Sequence, residues 1–196
     1  CVMRHGNEYR DLFPVWDWQR VPGTTVALLP HKPGEPRRKG SNAFAGGVSD
    51  GTIGSAGVQL ERDGLRAKKA WIFFENMVVC LGIDIRCEDD VPVITTLNQC
   101  RLDGPVTVGN APETTLAEGT HTCLTNWVHH DGVAYVFPEP TNVRVSNAAQ
   151  TGSWRRISKQ RSDKTVTEMV FSLGIDHDPK PPGAAYAYLV VPGVTS

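Results

Sequence analysis

The stretch Leu65-Arg66-Ala67-Lys68-Lys69-Ala70-Trp71-Ile72-Phe73-Phe74-Glu75-Asn76-Met77-Val78-Val79-Cys80-Leu81-Gly82-Ile83-Asp84-Ile85-Arg86 decides the fold. Two apolar runs, Trp71 to Phe74 and Val78 to Leu81, flank the polar pair Glu75-Asn76, where the chain can reverse. β-Branched and aromatic side chains fill both runs, and neither shows the 3.6-residue period of an amphipathic helix. A hairpin is expected, with strands over 65–75 and 77–86. An apolar run that does not alternate has both faces covered, as in the inner sheet of a layered sandwich. Trp71, Phe73, Val79 and Leu81 are therefore expected in the core.

The same pattern extends outward in both directions. Upstream, Phe44 to Val48 and Ile53 to Leu60 read as strands, separated by the turn Ser49-Asp50-Gly51 and closed by Arg62-Asp63-Gly64. Downstream, strands are expected over 92–99, 121–128, 132–137, 142–147, 165–175 and 184–191. Turn clusters recur about every 8–15 residues, which favours a sandwich over alternating strands and helices. The 19 Gly and 14 Pro supply those turns. Residues 1–40 read as irregular structure with aromatic anchors at Tyr9, Phe13, Trp16 and Trp18, and these leave a sticky apolar patch near residues 9–25. Pro30 to Gly40 is an exposed loop carrying Arg37, Arg38 and Lys39. The fold class is all-β: one large multi-sheet antiparallel β-sandwich over residues 1–196.

A chain of 196 residues can bury a core without metal or disulfide help. Its net charge of −1 gives no basic field to attract nucleic acid or anionic lipid, though a local arginine cluster can still hold an acidic polymer. No apolar segment reaches the roughly 18 residues of a membrane helix. Cys1 to His5 is not a signal peptide, and the chain opens within a motif, as a piece of a longer protein would. Five cysteines contain no C-x-x-C pair. Cys80 reads as a buried thiol, and one bridge among Cys87, Cys100 and Cys123 stays open for an exported protein.

His121, His129, His130 and Asp131 invite a metal, but adjacent histidines on a strand point to opposite faces. Asp176-His177-Asp178 reads equally as a capped turn. Neither a metal nor any other cofactor is expected. Nucleophile-elbow, P-loop and dinucleotide fingerprints do not occur, and Ser49 sits in a turn with no strand-to-helix change around it.

Four segments carry a family likeness. They are Asn7-Glu8-Tyr9-Arg10-Asp11-Leu12-Phe13-Pro14-Val15-Trp16-Asp17-Trp18 with Val21-Pro22-Gly23-Thr24-Thr25; Gly40 to Gly51; Ala67-Lys68-Lys69-Ala70-Trp71-Ile72-Phe73-Phe74 with Val79-Cys80-Leu81-Gly82; and Thr95-Thr96-Leu97-Asn98-Gln99. In this order and spacing they resemble polysaccharide lyase family 8, the chondroitin AC, hyaluronate and xanthan lyases. The resemblance implies a supersandwich of the galactose mutarotase type, flanked in the whole protein by an N-terminal α/α toroid and a C-terminal β domain that this chain does not match. It implies β-elimination on an acidic polysaccharide. A base takes the C5 proton of a uronate, and the oxygen on C4 leaves.

In such lyases the toroid supplies the Asn, His, Tyr and Arg that act on the sugar, so this chain alone is expected to be inactive. Glu8 matches the carboxylate that reaches from the β domain to orient the toroid's arginine. An ordinary surface carboxylate is the other reading of Glu8. Asp11 falls where relatives often carry an Asn near the substrate, and a carboxylate there would repel an anionic sugar. Trp16 and Trp18, two residues apart, would face the same way on an extended strand; they read as domain-packing residues or, alternatively, as faces for sugar rings. Some relatives bear an acidic residue that helps hold calcium near the place of Arg37 to Lys39, which is basic here. The expected partners are an acidic polysaccharide and the helical toroid, and the expected location is outside the cell or in the periplasm. Two other classes remain open: a non-catalytic carbohydrate-binding or scaffolding module, and a hydrolase or mutarotase-like enzyme on a similar sandwich.

Overall fold

A computed structural model describes residues 3–30, 41–42, 44–109 and 112–194. The described residues hold twelve strands: β1 Thr25–Ala27, β2 Phe44–Ser49, β3 Gly54–Arg62, β4 Leu65–Phe73, β5 Val78–Cys87, β6 Val93–Arg101, β7 Val106–Gly109, β8 Thr114–Thr115, β9 Gly119–His130, β10 Val133–Gly152, β11 Val166–His177 and β12 Pro182–Pro192. The one helical element among the described residues is a 3-10 turn at Trp154–Arg156. The fold is the expected all-β supersandwich. Hydrogen bonds join the strands in the order β1-β6-β11-β10-β12-β5-β4-β3-β2, and β9 extends from β10 to carry β7 and β8.

One strand turns that path into two layers. The first part of β10, Val133 to Val136, pairs with β12, while Arg144 to Gly152 pairs with β11. Between them lie Pro138 and Pro140, and the register against β9 shifts between Val136 and Thr141. Proline offers no N–H to a ladder, and a bulge bends its strand, so β10 leaves one layer and enters the other here. The sequence pattern predicts two strands separated at this place; the structure has one strand of 20 residues. Tyr135, Phe137, Val143 and Val145 of β10 pack with Leu65, Ile85, Phe171, Leu173, Tyr186 and Tyr188 in the main core.

Two hairpins close on two-residue turns. Asp63-Gly64 joins β3 to β4 at φ 53° and 75°, and Asp131-Gly132 joins β9 to β10 at φ 46° and 64°. Positive φ at both positions matches the right-handed twist of the strands, and Asp followed by Gly is the pair that tolerates it. Gly82 answers a different need. The Tyr186 ring lies against its backbone, and a Cβ there would come within 2.1 Å of that ring.

The hairpin of residues 65–86 forms as expected, but its burial differs. Trp71, Val79 and Leu81 are half-buried, and Phe73 is 44% exposed. The inner face is covered at Ala67, Lys69 and Cys80, and the cover thins along the same face toward Trp71 and Phe73 at the end of the hairpin. The outer face carries a row of directly paired residues, Val48, Ser55, Ile72, Val79, Leu189, Val136 and Trp127, running across six strands from β2 through β10 and on to β9. None of the seven is buried. The apolar runs are thus two-sided, and only one side is covered by described residues. The cysteines Cys80, Cys87, Cys100 and Cys123 are free, so none of the bridges left open by the sequence forms.

Candidate functional site

Residues Met3 to Thr24 form no strand; turn hydrogen bonds such as that from the Trp16 amide to the Leu12 carbonyl satisfy part of their backbone, and side chains reaching out of the sheets take further groups. Strand β6 is buried from Val93 to Cys100, although half of those residues are polar. The buried polar groups hold the segment. Gln99 accepts from the Asp17 amide at 2.8 Å and donates to the carbonyls of Asp17 at 3.0 Å and Arg20 at 2.8 Å. Asn98 donates to the Tyr135 hydroxyl at 2.7 Å and accepts from the Tyr9 hydroxyl at 3.2 Å. The Thr96 backbone pairs with Gly23 and Thr24, and the Thr95 hydroxyl lies 2.9 Å from that of Thr25.

From the facing layer, the Lys69 ammonium donates to the Gly23 carbonyl at 2.6 Å and sits over the rings of Trp71 and Tyr186. Burial lowers its pKa to about 8, with Cys80 acting weakly the other way. Three of the four family segments therefore meet: the first is docked by the third and the fourth.

Glu8 lies at the start of this segment and is buried. Its main-chain carbonyl accepts from the Arg101 amide at 2.7 Å, fixing it to the end of β6. Its Oε1 accepts from the backbone amides of Arg4 and of His5, the latter at 2.7 Å. Burial raises the carboxyl pKa, but the amides of His5, Glu8, Arg4 and Gly6 outweigh it and hold the group below its ordinary value. Oε2 is shielded from solvent and accepts no hydrogen bond from the described residues.

The two residues that wrap Glu8 are themselves anchored on the β9–β10 turn. Arg4 Nη1 donates to the Asp131 carbonyl at 2.9 Å, and His5 Nε2 lies 3.3 Å from the Asp131 carboxylate. The arrangement is a fixed carboxylate with one oxygen that no described residue pairs, cradled by Arg4 and His5, which Asp131 holds in turn.

The other sequence candidates separate. Asp11 is exposed, 3.6 Å from the Arg10 guanidinium, and its backbone is left-handed at φ 58°. Trp16 is buried, stacked on Phe13 at 5.4 Å and 18°, while Trp18 is 42% exposed. The segment is turn rather than strand, yet their rings still meet, 5.4 Å apart and tilted by 58°. Phe13 and Trp18 are the exposed members of the expected 9–25 patch, and the larger apolar surface lies on β2 to β5.

His129 reaches the Val194 carbonyl, whereas His130 is buried on Phe171 and accepts from the Asp103 amide. Burial pushes His130 down to about 4, with Asp131 and Asp103 opposing, and pushes the Cys100 thiol beside it up to about 12. The pair is neutral and offers no thiolate nucleophile. Arg37 to Lys39 lie outside the described residues.

Residues 1–196 match the model of polysaccharide lyase family 8, super-sandwich domain, from end to end. The chain belongs to that family. It is 40% identical to chondroitinase-AC of Pedobacter heparinus over 98% of this chain and 28% of that protein. It is 33% identical to the hyaluronate lyase of Thermasporomyces composti over 97% of this chain and 26% of that protein. Its structure superposes on chondroitinase AC lyase, solved as enzyme–oligosaccharide complexes, with a TM-score of 0.89 at 38% identity, covering 96% of this chain and 29% of that one. This family 8 domain thus spans under a third of each of these proteins.

Arg4, His5, Asn98, Gln99 and Lys69 were not singled out from the sequence. A signal for three of them existed: Asn98, Gln99 and Lys69 are polar side chains inside family segments that otherwise read as buried strand.

Proposed function

We propose that this domain forms one wall of the cleft of a polysaccharide lyase that cleaves uronic-acid glycans by β-elimination. Glu8 holds an arginine of an adjoining helical domain, and that domain supplies the base. The observation that carries the reading is a buried carboxylate whose Oε2 has no partner among the described residues and whose other oxygen is fixed by two amides. A buried acceptor without a donor is unfavourable, and a guanidinium is the donor that matches a carboxylate in shape and charge. Held in this way the arginine keeps its plane, and its charge stays aimed at the uronate carboxylate as the C5 proton leaves.

Of the two tryptophans, Trp18 is the one with an open face for a sugar ring, and Trp16 supports it from below. Asp11 stands at the rim as a negative charge that disfavours direct contact with the glycan. Relatives that degrade polymers found outside cells make secretion or the periplasm the expected location.

The test is product formation by the full-length protein. Unsaturated uronate absorbs in the ultraviolet, and Glu8→Ala should lower turnover roughly tenfold at equal folded concentration, a loss of about 1.4 kcal/mol in the transition state. Unchanged turnover removes Glu8 from the site. No unsaturated product across uronic-acid polymers removes the lyase reading and leaves a non-catalytic carbohydrate module.

A further inference from the structure

We propose that the cleft between β1 and the inner face of the β3–β4 hairpin is a second glycan subsite, in which Lys69 takes the acidic group of a sugar and Trp18 and Trp71 take its ring. The lyase reading contributes the class of ligand; the site itself stands on its own geometry. The cleft encloses about 560 Å³, within the range of cavities that hold small ligands. Its wall is mostly apolar, and Lys69 is the cation inside it.

Lys69 is only 6% exposed. An ammonium has three N–H donors, and the Gly23 carbonyl takes one of them. The rings of Trp71 and Tyr186 lie beside it with the neutral Cys80 and His177 nearby, and no carboxylate among the described residues neutralises it. A cation removed from water without a counter-ion is costly, and a carboxylate or sulfate entering the cleft supplies one. Arg62 at the rim is already paired with Asp63 at 3.3 Å, so among the described lining residues the unpaired charge is that of Lys69. Trp71 lies 5.4 Å from the ammonium, and Trp18 is open at the mouth.

The subsite is distinct from Glu8. Gly23 is bonded to Thr96 and Glu8 to Arg101, five residues further along β6, or about 17 Å of strand. One sugar cannot reach both places; an oligosaccharide can.

The experiment titrates this chain with a hyaluronan hexasaccharide and with a neutral hexasaccharide, read by calorimetry and tryptophan emission. The acidic sugar should bind, shift the emission and weaken as salt is raised, and the neutral one should not. Lys69→Met should weaken binding at least tenfold. Trp18→Ala, which alters an exposed ring and leaves the Gly23 clamp intact, should weaken it severalfold. The subsite is overturned if the hexasaccharide does not bind, if the neutral sugar binds as well, or if neither variant changes the affinity. Product formed by the full-length protein with nothing bound by this chain would remove the subsite and keep the Glu8 reading. Binding here with no product there would do the reverse.

Discussion

The irregular segment before Thr25 and the regular strands β2 to β5 invert the usual relation between secondary structure and burial. The first has no strand, yet Leu12 and Val15 pack with Val170 in a core of their own, and Glu8 is buried. The second is a run of four paired strands, yet Phe44, Val48 and Ile83 on its outer face are 59, 74 and 60% exposed. The cause is where backbone hydrogen bonds go. A strand satisfies its amides with its neighbours and can leave a whole face bare. A segment without repeating structure must find partners elsewhere, so it persists only where Gln99, Asn98 and Lys69 are built to meet it. Order in the first region is imposed from outside, while in the second it is self-contained and leaves an apolar face for other contacts. A bare apolar row of that kind is the part of this surface most disposed to further contacts.

The sharpest way to break this contrast is Gln99→Ala. The change removes a fully buried side chain and leaves three backbone groups of the half-buried Asp17 and Arg20 without that partner. At about 1–3 kcal/mol for each group stranded, with partial rescue by relaxation, the loss should be about 3–4 kcal/mol. Urea unfolding of this chain should show a lower midpoint at an unchanged slope. A loss under about 1 kcal/mol would mean the segment is held by apolar packing alone.

A second test uses pH. His130 is buried and neutral, with its folded pKa pushed from 6.5 to about 4. Its contribution is complete above about pH 6.5 and is lost as pH falls from there toward 4, because the unfolded chain takes up the proton first. The shift corresponds to about 3 kcal/mol at most. His177, also lowered by burial, adds a smaller loss of the same sign. His130→Gln retains an acceptor for the Asp103 amide and should flatten most of the decline. An equally steep decline in that variant would assign it to carboxylates, Glu8 among them.

The outer face of β2 to β5 should behave in the opposite way. Val48→Lys or Ile83→Lys changes stability by less than about 0.5 kcal/mol, as exposed substitutions do. Binding of a hydrophobic dye and self-association of this chain should nevertheless both fall, which light scattering would read. A stability loss above 1 kcal/mol would show that the face is packed in solution.

What the sequence disclosed follows the same division. Period and turn chemistry depend on neighbouring residues, so the hairpins at Asp63-Gly64 and Asp131-Gly132 and most strand positions are legible. Burial is not local. The runs Trp71 to Phe74 and Val78 to Leu81 announce two apolar faces, but nothing in them says which face this chain covers. Pro138 and Pro140 read as a break, because a bulge inside one long strand uses the same residues as a turn between two. At the candidate site, Glu8 was visible through its motif. Its amide cradle was not, because it depends on Arg4 and His5 folding back against Asp131, 126 residues away from His5.

Asp11 offers the smallest expected effect and separates two reasons for one residue. Its φ of 58° lies in the left-handed region, where Asn and Asp are the most tolerated side chains after Gly. The backbone thus accounts for a short polar residue at this place without any contact to a ligand, and the side chain is in fact exposed beside Arg10. Asp11→Asn retains the turn and should change stability by no more than a few tenths of a kcal/mol. Asp11→Val, β-branched and unable to hydrogen-bond locally, should cost about 1–2 kcal/mol. The two variants differ again in the full-length protein. Asp11→Asn removes a negative charge at the rim of the cleft, so KM for an anionic glycan should fall modestly while kcat holds, and the gain should vanish at high salt. If Asp11→Asn instead lowers kcat, the carboxylate itself takes part in the reaction, and Asp11 belongs beside Glu8 rather than at the rim.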